Sequence, residues 1–228
     1  MFNSQSVGAV IVAAGRGERM GGIDKIFAPL NGPTVLERVV STFERCKAVD
    51  QIVVVLSEQN LARGKLLIAK SGFSKVVSVC PGGKRRQDSV KHGLVQLEGC
   101  GWVVIHDGAR PLVTPDLIEA GLKAAQESGA AIAAVPVVDT IKESDTSNYV
   151  KNTLDRSRLW VVQTPQVFRF DIIKEAYRNA SGDVTDDAAL VEILGIRVKL
   201  YMGAYDNIKL TTPADLALAE AMWQRKEG

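Results

Sequence analysis

Residues 7–25 read VGAVIVAAGRGERMGGIDK. Residues 7–14 are continuously apolar instead of alternating, which is the pattern of a strand buried on both faces of a parallel sheet. The run passes directly into Gly15, Gly17, Gly21 and Gly22, with Arg16, Arg19 and Lys25 interspersed. Glycines at the C-terminal end of a strand let backbone N–H groups approach phosphate oxygens, and nearby basic side chains add mobile positive charge. The composition is that of a phosphate-binding loop, although the spacing alone also fits a glycine-rich turn with solvated charges. Two familiar loops do not fit. Gly15-x-Gly17 is followed by Gly21 and no acidic residue ends the second strand, so the dinucleotide fingerprint is incomplete; Gly83-Lys84 is followed by Arg85, so that stretch is no Walker A loop.

Outward from this segment the same rhythm repeats. Residues 51–56, 76–80, 102–106 and 131–137 are further short apolar runs. Between them lie apolar positions at helical spacing: Val35, Leu36, Val39, Val40 and Phe43; residues 61–69; Val90, Leu94 and Leu97; Leu117, Ile118 and Leu122. Alternation of this kind predicts an α/β fold with a doubly wound, mainly parallel sheet, in one domain covering 1–228. Thr114-Pro115 and Thr212-Pro213 each supply a capping hydroxyl and a proline at the first helical position. Thr185 precedes Asp186 and Asp187, carboxylates read here as no more than caps of a helix running to residue 194.

Residues 139–157 break the rhythm. Two strand-like stretches, 140–142 and 149–154, flank a polar turn at 143–148 and predict a projecting β-hairpin arm. A two-stranded arm is marginal alone, so it should pack on its own body or on a second copy, and a homodimer through this arm is expected. Trp160, beyond it, reads as a packing anchor.

Composition narrows the function. Twenty-eight Lys and Arg against 26 Asp and Glu leave +2, too little for a duplex-binding surface, so no nucleic-acid partner is expected. Cys46, Cys80 and Cys100 form no C-x-x-C pair and sit in or beside apolar runs, as buried thiols do. The longest apolar stretches, 7–15 and 130–138, are about half of what a bilayer span needs, and the N-terminus resembles neither a secretory signal nor a transit peptide. No membrane association and a cytoplasmic location are expected.

A second glycine-rich, basic turn, residues 81–89 (PGGKRRQDS), opens a helix after the third strand and should emerge on the same sheet edge as the first. The fourth strand ends in His106-Asp107-Gly108-Ala109-Arg110-Pro111. Asp107 admits two readings, a hard oxygen ligand for Mg²⁺ or a loop carboxylate paired with Arg110. His106, closing a buried strand, reads as a satisfied core residue ahead of a catalytic base.

Taken together, AAGRGERM, PGGKRRQDSV, HDGARP, DTIKE, LDRSRLW, QTPQ, TDDA and DNIKLTTPADL, in this order along nearly the whole chain, resemble the cytidylyltransferase family that acts on 2-C-methyl-D-erythritol 4-phosphate in the non-mevalonate route to isoprenoids. The resemblance implies a Rossmann-like nucleotidyltransferase fold and a Mg²⁺-dependent transfer of CMP from CTP to that sugar-alcohol phosphate. It also implies roles: Ala13, Ala14, Gly15, Gly83 and Ser89 at CTP, Arg19 and Lys25 at the transition state, and Arg156 and Lys209 positioning the acceptor. Asp107, Arg110, Thr140 and Thr164 join the substrate side, with Asp107 also at the metal–phosphate cluster. The family usually carries Lys-Gln-aromatic after the first loop, where this chain has Lys25-Ile26-Phe27. Relatives using ribitol 5-phosphate usually have Ala-Gly-Gly where this chain has Ala13-Ala14-Gly15, which favours methylerythritol phosphate.

Overall fold

The computed structural model describes residues 1–15, 24–180 and 182–227. Seven strands form one sheet in the order β3-β2-β1-β4-β8-β5-β9. They are β1 (Ser6–Ala13), β2 (Gln51–Leu56), β3 (Val76–Pro81), β4 (Cys100–Asp107), β5 (Ala130–Pro136), β8 (Trp160–Arg169) and β9 (Lys199–Met202). β1 pairs in parallel with both β2 and β4, β2 with β3, and β5 with β9. Only β8 runs against its neighbours, β4 and β5.

Seven helices cover the sheet: α1 (Val35–Arg45), α2 (Glu58–Ser71), α3 (Arg86–Val95), α4 (Pro115–Ala125), α5 (Phe170–Arg178), α6 (Asp187–Ile193) and α7 (Pro213–Glu227). Val7, Ala9 and Ile11 of β1 pack with Val39, Phe43, Ile118 and Ala219 in one core, while Val10 packs with Val90, Leu94, Ile173 and Val191 in another. Two cores on opposite faces explain why β1 has no polar side chain from Val7 to Ala13: each side chain there meets helices whichever way it points. Helix starts follow the sequence at α4 and α7, where Thr114 and Thr212 accept from the N–H groups of Leu117 and Asp215, and Thr34 caps α1 in the same way by accepting from Glu37 N. At α6 the cap is Asp186, whose carboxylate accepts from Ala189 N (3.1 Å).

One stretch departs from the expected elements. Residues 160–169, where no strand was expected, form the ten-residue strand β8 in the middle of the sheet, and α5 follows it directly. The register between β5 and β8 shifts between Ile132 and Ala134, opposite Gln163, Thr164 and Pro165, and the Thr164–Pro165 peptide is cis. The arm is present, with β6 (Lys142–Ser144) and β7 (Val150–Thr153) paired as an antiparallel hairpin apart from the main sheet. It leaves and rejoins that sheet at one place: Pro136 lies opposite Trp160, and Val137 N donates to Leu159 O (3.0 Å).

Candidate active site

β1 passes to β2 on one side, and β4 lies on its other side, so the strand order reverses between β1 and β4. Ligands of open α/β sheets bind outside the strand ends at such a reversal. A cleft of about 400 Å³ opens there, lined by Ala13, Ala14, Gly15, Lys25, Gly83, Lys84, Arg85, Arg86, Ser89, Asp107, Lys209 and Thr211 among others. The described start of the first glycine-rich loop, residues 13–15, therefore meets the second loop. Their contact is tight: a Cβ on Gly82 would sit 2.4 Å from Ala14 Cβ and 2.6 Å from Ser89 Oγ. Ser89 also folds its own loop, since its hydroxyl accepts from Gly83 N (3.0 Å) and donates to Arg85 O (3.2 Å).

Arg19, expected at the transition state, lies in segment 16–23, outside the described residues. Lys25 is described and half-buried, with Nζ donating to Leu210 O at 3.0 Å. The Ile26 and Phe27 that follow it are core residues, and the Arg63 guanidinium stacks 4.1 Å from the Phe27 ring centroid. The departure from the usual residues after Lys25 is thus absorbed by packing.

Asp107 is the carboxylate at the centre of the cleft floor. Its Oδ1 accepts from Arg86 Nε (3.1 Å) and its Oδ2 from Lys209 Nζ (2.7 Å). Of its two readings, the direct ion pair with Arg110 does not form; Arg110 donates to Asn207 O (2.6 Å), because the 107–110 turn aims its side chain at the segment after β9. Burial pushes the Asp107 carboxyl up, but Arg86 and Lys209 outweigh burial and hold it below the ordinary carboxylate range. Arg86 in turn bridges to Asp187, with Nη1 to Oδ2 at 2.8 Å. Asp187 is fully buried, and burial raises its carboxyl against the opposing pull of Arg86 and Tyr177. The sequence reading had treated Asp187 as a cap.

The antiparallel β8 brings Thr164 beside the end of β4. Asp107 N donates to Thr164 Oγ1 (3.0 Å), Thr164 Oγ1 lies 3.1 Å from His106 Nδ1, and His106 Nε2 lies 3.1 Å from Arg110 O. A carbonyl can only accept, so Nε2 carries the proton, Nδ1 accepts from the Thr164 hydroxyl, and the three bonds run in one direction. Burial holds His106 neutral, with its pKa pushed down to about 4. His106 and Thr164 are therefore a bracket behind Asp107, and the core reading of His106 stands.

Lys209 is placed by a second bracket. Asn207 Nδ2 donates to Thr164 O (2.8 Å) and Leu210 N to Ala109 O (2.8 Å), which clamps the segment after β9 against the middle of β8 and the turn after β4. Asn207 is fully buried and escaped the sequence reading, since an Asn in a loop gives no sign of what it binds. Thr140 and Arg156 do not line the cleft; both are exposed on or beside the arm, where Arg156 Nη1 donates to Val138 O (2.6 Å).

The cleft's cations are not equivalent. Arg85 is spoken for by Asp88 and Asp183, each at 2.6 Å, and Arg86 and Lys209 share carboxylates. Among the described residues no cluster of three or more His, Cys, Asp or Glu could cage a metal ion. One hard carboxylate beside a cationic cleft does fit Mg²⁺, which is commonly held by one or two carboxylates together with substrate phosphates.

A doubly wound sheet whose strand-order reversal carries a glycine-rich loop, converging cations and a single buried carboxylate defines a nucleotidyltransferase. The family model described as 2-C-methyl-D-erythritol 4-phosphate cytidylyltransferase matches residues 7–225, and the chain belongs to that family. A relative of that name from Dehalococcoides mccartyi is 53% identical over 225 residues, covering 99% of each chain. Another from Alkaliphilus oremlandii is 43% identical over 235 residues and covers 100% of both. The crystal structure of 4-diphosphocytidyl-2C-methyl-D-erythritol synthase from Anaerococcus prevotii superposes with a TM-score of 0.86 at 32% identity, over 97% of this chain and 99% of that one.

Proposed function

We propose that this chain transfers CMP from CTP to 2-C-methyl-D-erythritol 4-phosphate, giving 4-diphosphocytidyl-2-C-methyl-D-erythritol and pyrophosphate, as a step of isoprenoid precursor synthesis in the cytoplasm. The observation that carries this reading is the convergence of Gly15, Gly83, Lys25, Lys209 and Asp107 on one cleft in a member of this family.

The acceptor's phosphate oxygen attacks the α-phosphorus of CTP. A phosphomonoester has a second pKa near 6 and is largely dianionic at pH 7, so the nucleophile needs no general base. That accords with a His106 buried, neutral and committed to carbonyl and hydroxyl partners. The work left to the protein is to bring two polyanions together and to hold charge on the transferring group, by positioning and electrostatics. Backbone N–H groups of the two glycine loops hold the nucleotide, Lys25 and Arg19 bear on the phosphates, and Lys209 steers the acceptor. Mg²⁺, held by Asp107 together with the triphosphate, would supply charge neutralisation at the phosphates.

Arg156 and Thr140 enter this scheme from a second subunit. Support comes from the arm itself: Tyr149 and Val150 are 74% and 64% exposed, and Val138 and Val161 beside it are likewise open, an apolar surface that a second copy would cover. The homodimer thus joins the arm of one subunit to the cleft of the other.

The deciding experiment is pyrophosphate release from CTP, Mg²⁺ and a set of acceptors. Methylerythritol phosphate should support turnover, ribitol 5-phosphate should support little, and ATP in place of CTP should be a poor donor. Turnover confined to ribitol 5-phosphate, or equal turnover with ATP, would reassign the substrate; none with any acceptor would leave a nucleotide-binding module.

A further inference from the structure

The ion pairs behind the cleft extend past the residues that face a ligand. Arg86, the first residue of α3, splits its guanidinium between two carboxylates, Nε to Asp107 Oδ1 at 3.1 Å and Nη1 to Asp187 Oδ2 at 2.8 Å. Asp187 does not line the cleft and is fully buried, and its remaining oxygen Oδ1 accepts from the Tyr177 hydroxyl at 2.5 Å. Since Asp186 supplies the cap of α6, the helix does not need the Asp187 carboxylate to begin. A buried charge is costly unless fully partnered. Here α6 delivers a carboxylate to the guanidinium, and α5 delivers a hydroxyl to that carboxylate.

We propose that Asp187, backed by Tyr177, is a positioning residue for the transfer reaction: it holds Nη1 of Arg86 so that Arg86 grips Asp107 through Nε alone and leaves Oδ2 of Asp107 to Lys209. An arginine facing a carboxylate with nothing behind it closes into a two-nitrogen fork over both oxygens. Such a fork on Asp107 would displace Lys209 from Oδ2. Charges along the series Asp187, Arg86, Asp107 and Lys209 alternate in sign and cancel. Without Asp187 one positive charge is left uncompensated at the cleft floor, and a bound polyanion would draw the loosened guanidinium toward itself. The effect on turnover rests on the cytidylyl-transfer reading, whereas the restraint on Arg86 is a property of the protein without substrate.

The test begins with Asp187→Asn, which keeps the shape and a partner for Tyr177 but removes the charge. The kcat should fall by roughly tenfold or more while KM for CTP stays within about threefold, the signature of lost positioning. Tyr177→Phe keeps the ion pair and should show a smaller loss in the same direction; it carries the test if Asp187→Asn does not fold. In an Arg86→Lys background, which has no fork to restrain, either substitution should add less than about twofold, because residues acting through one another are not additive. Losses that multiply in that background, or a folded Asp187→Asn with unchanged kcat, would overturn the proposal. Nitrogen-15 spectra of labelled arginine give a readout free of activity. The Arg86 Nε–H should be a single, slowly exchanging resonance in the unsubstituted protein and shifted or broadened in Asp187→Asn, and identical resonances would also overturn it. If the unsubstituted enzyme released no pyrophosphate, the functional reading would fail, while these spectra would still decide on Asp187.

Discussion

His106 and Thr164 show how two buried polar side chains hold the carboxylate beside them. With the His106 pKa pushed down to about 4 by burial, the unfolded chain binds a proton near pH 6.5 that the folded chain refuses. The stabilisation is fully present above pH 6.5 and is lost as pH falls toward 4. The full window corresponds to about 3 kcal/mol, from about 1.4 kcal/mol per pKa unit. Asp107 adds nothing there, because its carboxyl titrates below that range. Urea midpoints should fall between pH 7 and pH 5, and the slope should flatten in His106→Asn; equal slopes would mean that His106 is not held neutral. Thr164→Val deletes only the hydroxyl that Asp107 N and His106 Nδ1 share. It should cost about 1–3 kcal/mol, the usual penalty for leaving a buried donor unpaired, and a loss below 0.5 kcal/mol in the same denaturation series would refute the bracket.

At the scale of elements, the cleft is a gap between two loops, and Gly82 sets its width. Gly82→Ala must displace either Ala14 or Ser89, with contacts of 2.4 and 2.6 Å to resolve. The expected result is a folded enzyme whose KM for CTP rises by roughly tenfold, with kcat affected less, since the loops hold the nucleotide before and during the reaction. An unchanged KM would show that the loops do not share one ligand. The parallel strands were legible in the sequence because a strand covered on both faces must be apolar where it is covered, as β1 and β2 are after their first residues and β5 is along its length. β8 was not legible because Gln163, Thr164 and Gln166 interrupt it, and each is buried against a partner distant in sequence, such as Asp186 for Gln166 Nε2. The same division runs through the site. Gly15, Gly83, Lys25, Ser89 and Asp107 stand in local patterns that point to a phosphate-binding edge, Lys209 was reached only through the family resemblance, and all six share one cleft. Asp187 lies 101 residues from Arg86 and Asn207 lies 43 from Thr164, separations across which no spacing rule operates.

For the whole molecule, the arm carries the question of assembly. If Arg156 of one subunit completes the cleft containing Lys25 of the other, Lys25→Ala and Arg156→Ala homodimers should each be nearly inactive. Random co-assembly of the two should restore roughly a quarter of normal sites in a two-fold dimer with one site per subunit, because one site of each mixed dimer collects both defects. Mixed dimers that are demonstrably present but recover no activity would place Arg156 in its own subunit's site. The arm's point of attachment bears on more than this assay. Because Pro136 and Trp160 face each other across the sheet, the chain sets out and comes home at neighbouring residues, and everything between is a detour. A tight reverse turn could replace it and leave all seven strands continuous. The cleft floor and the arm proposed to join two subunits thereby lie in separable stretches of chain: a change in the length or sequence of the detour would leave the strands that fix Asp107 and Thr164 as they are.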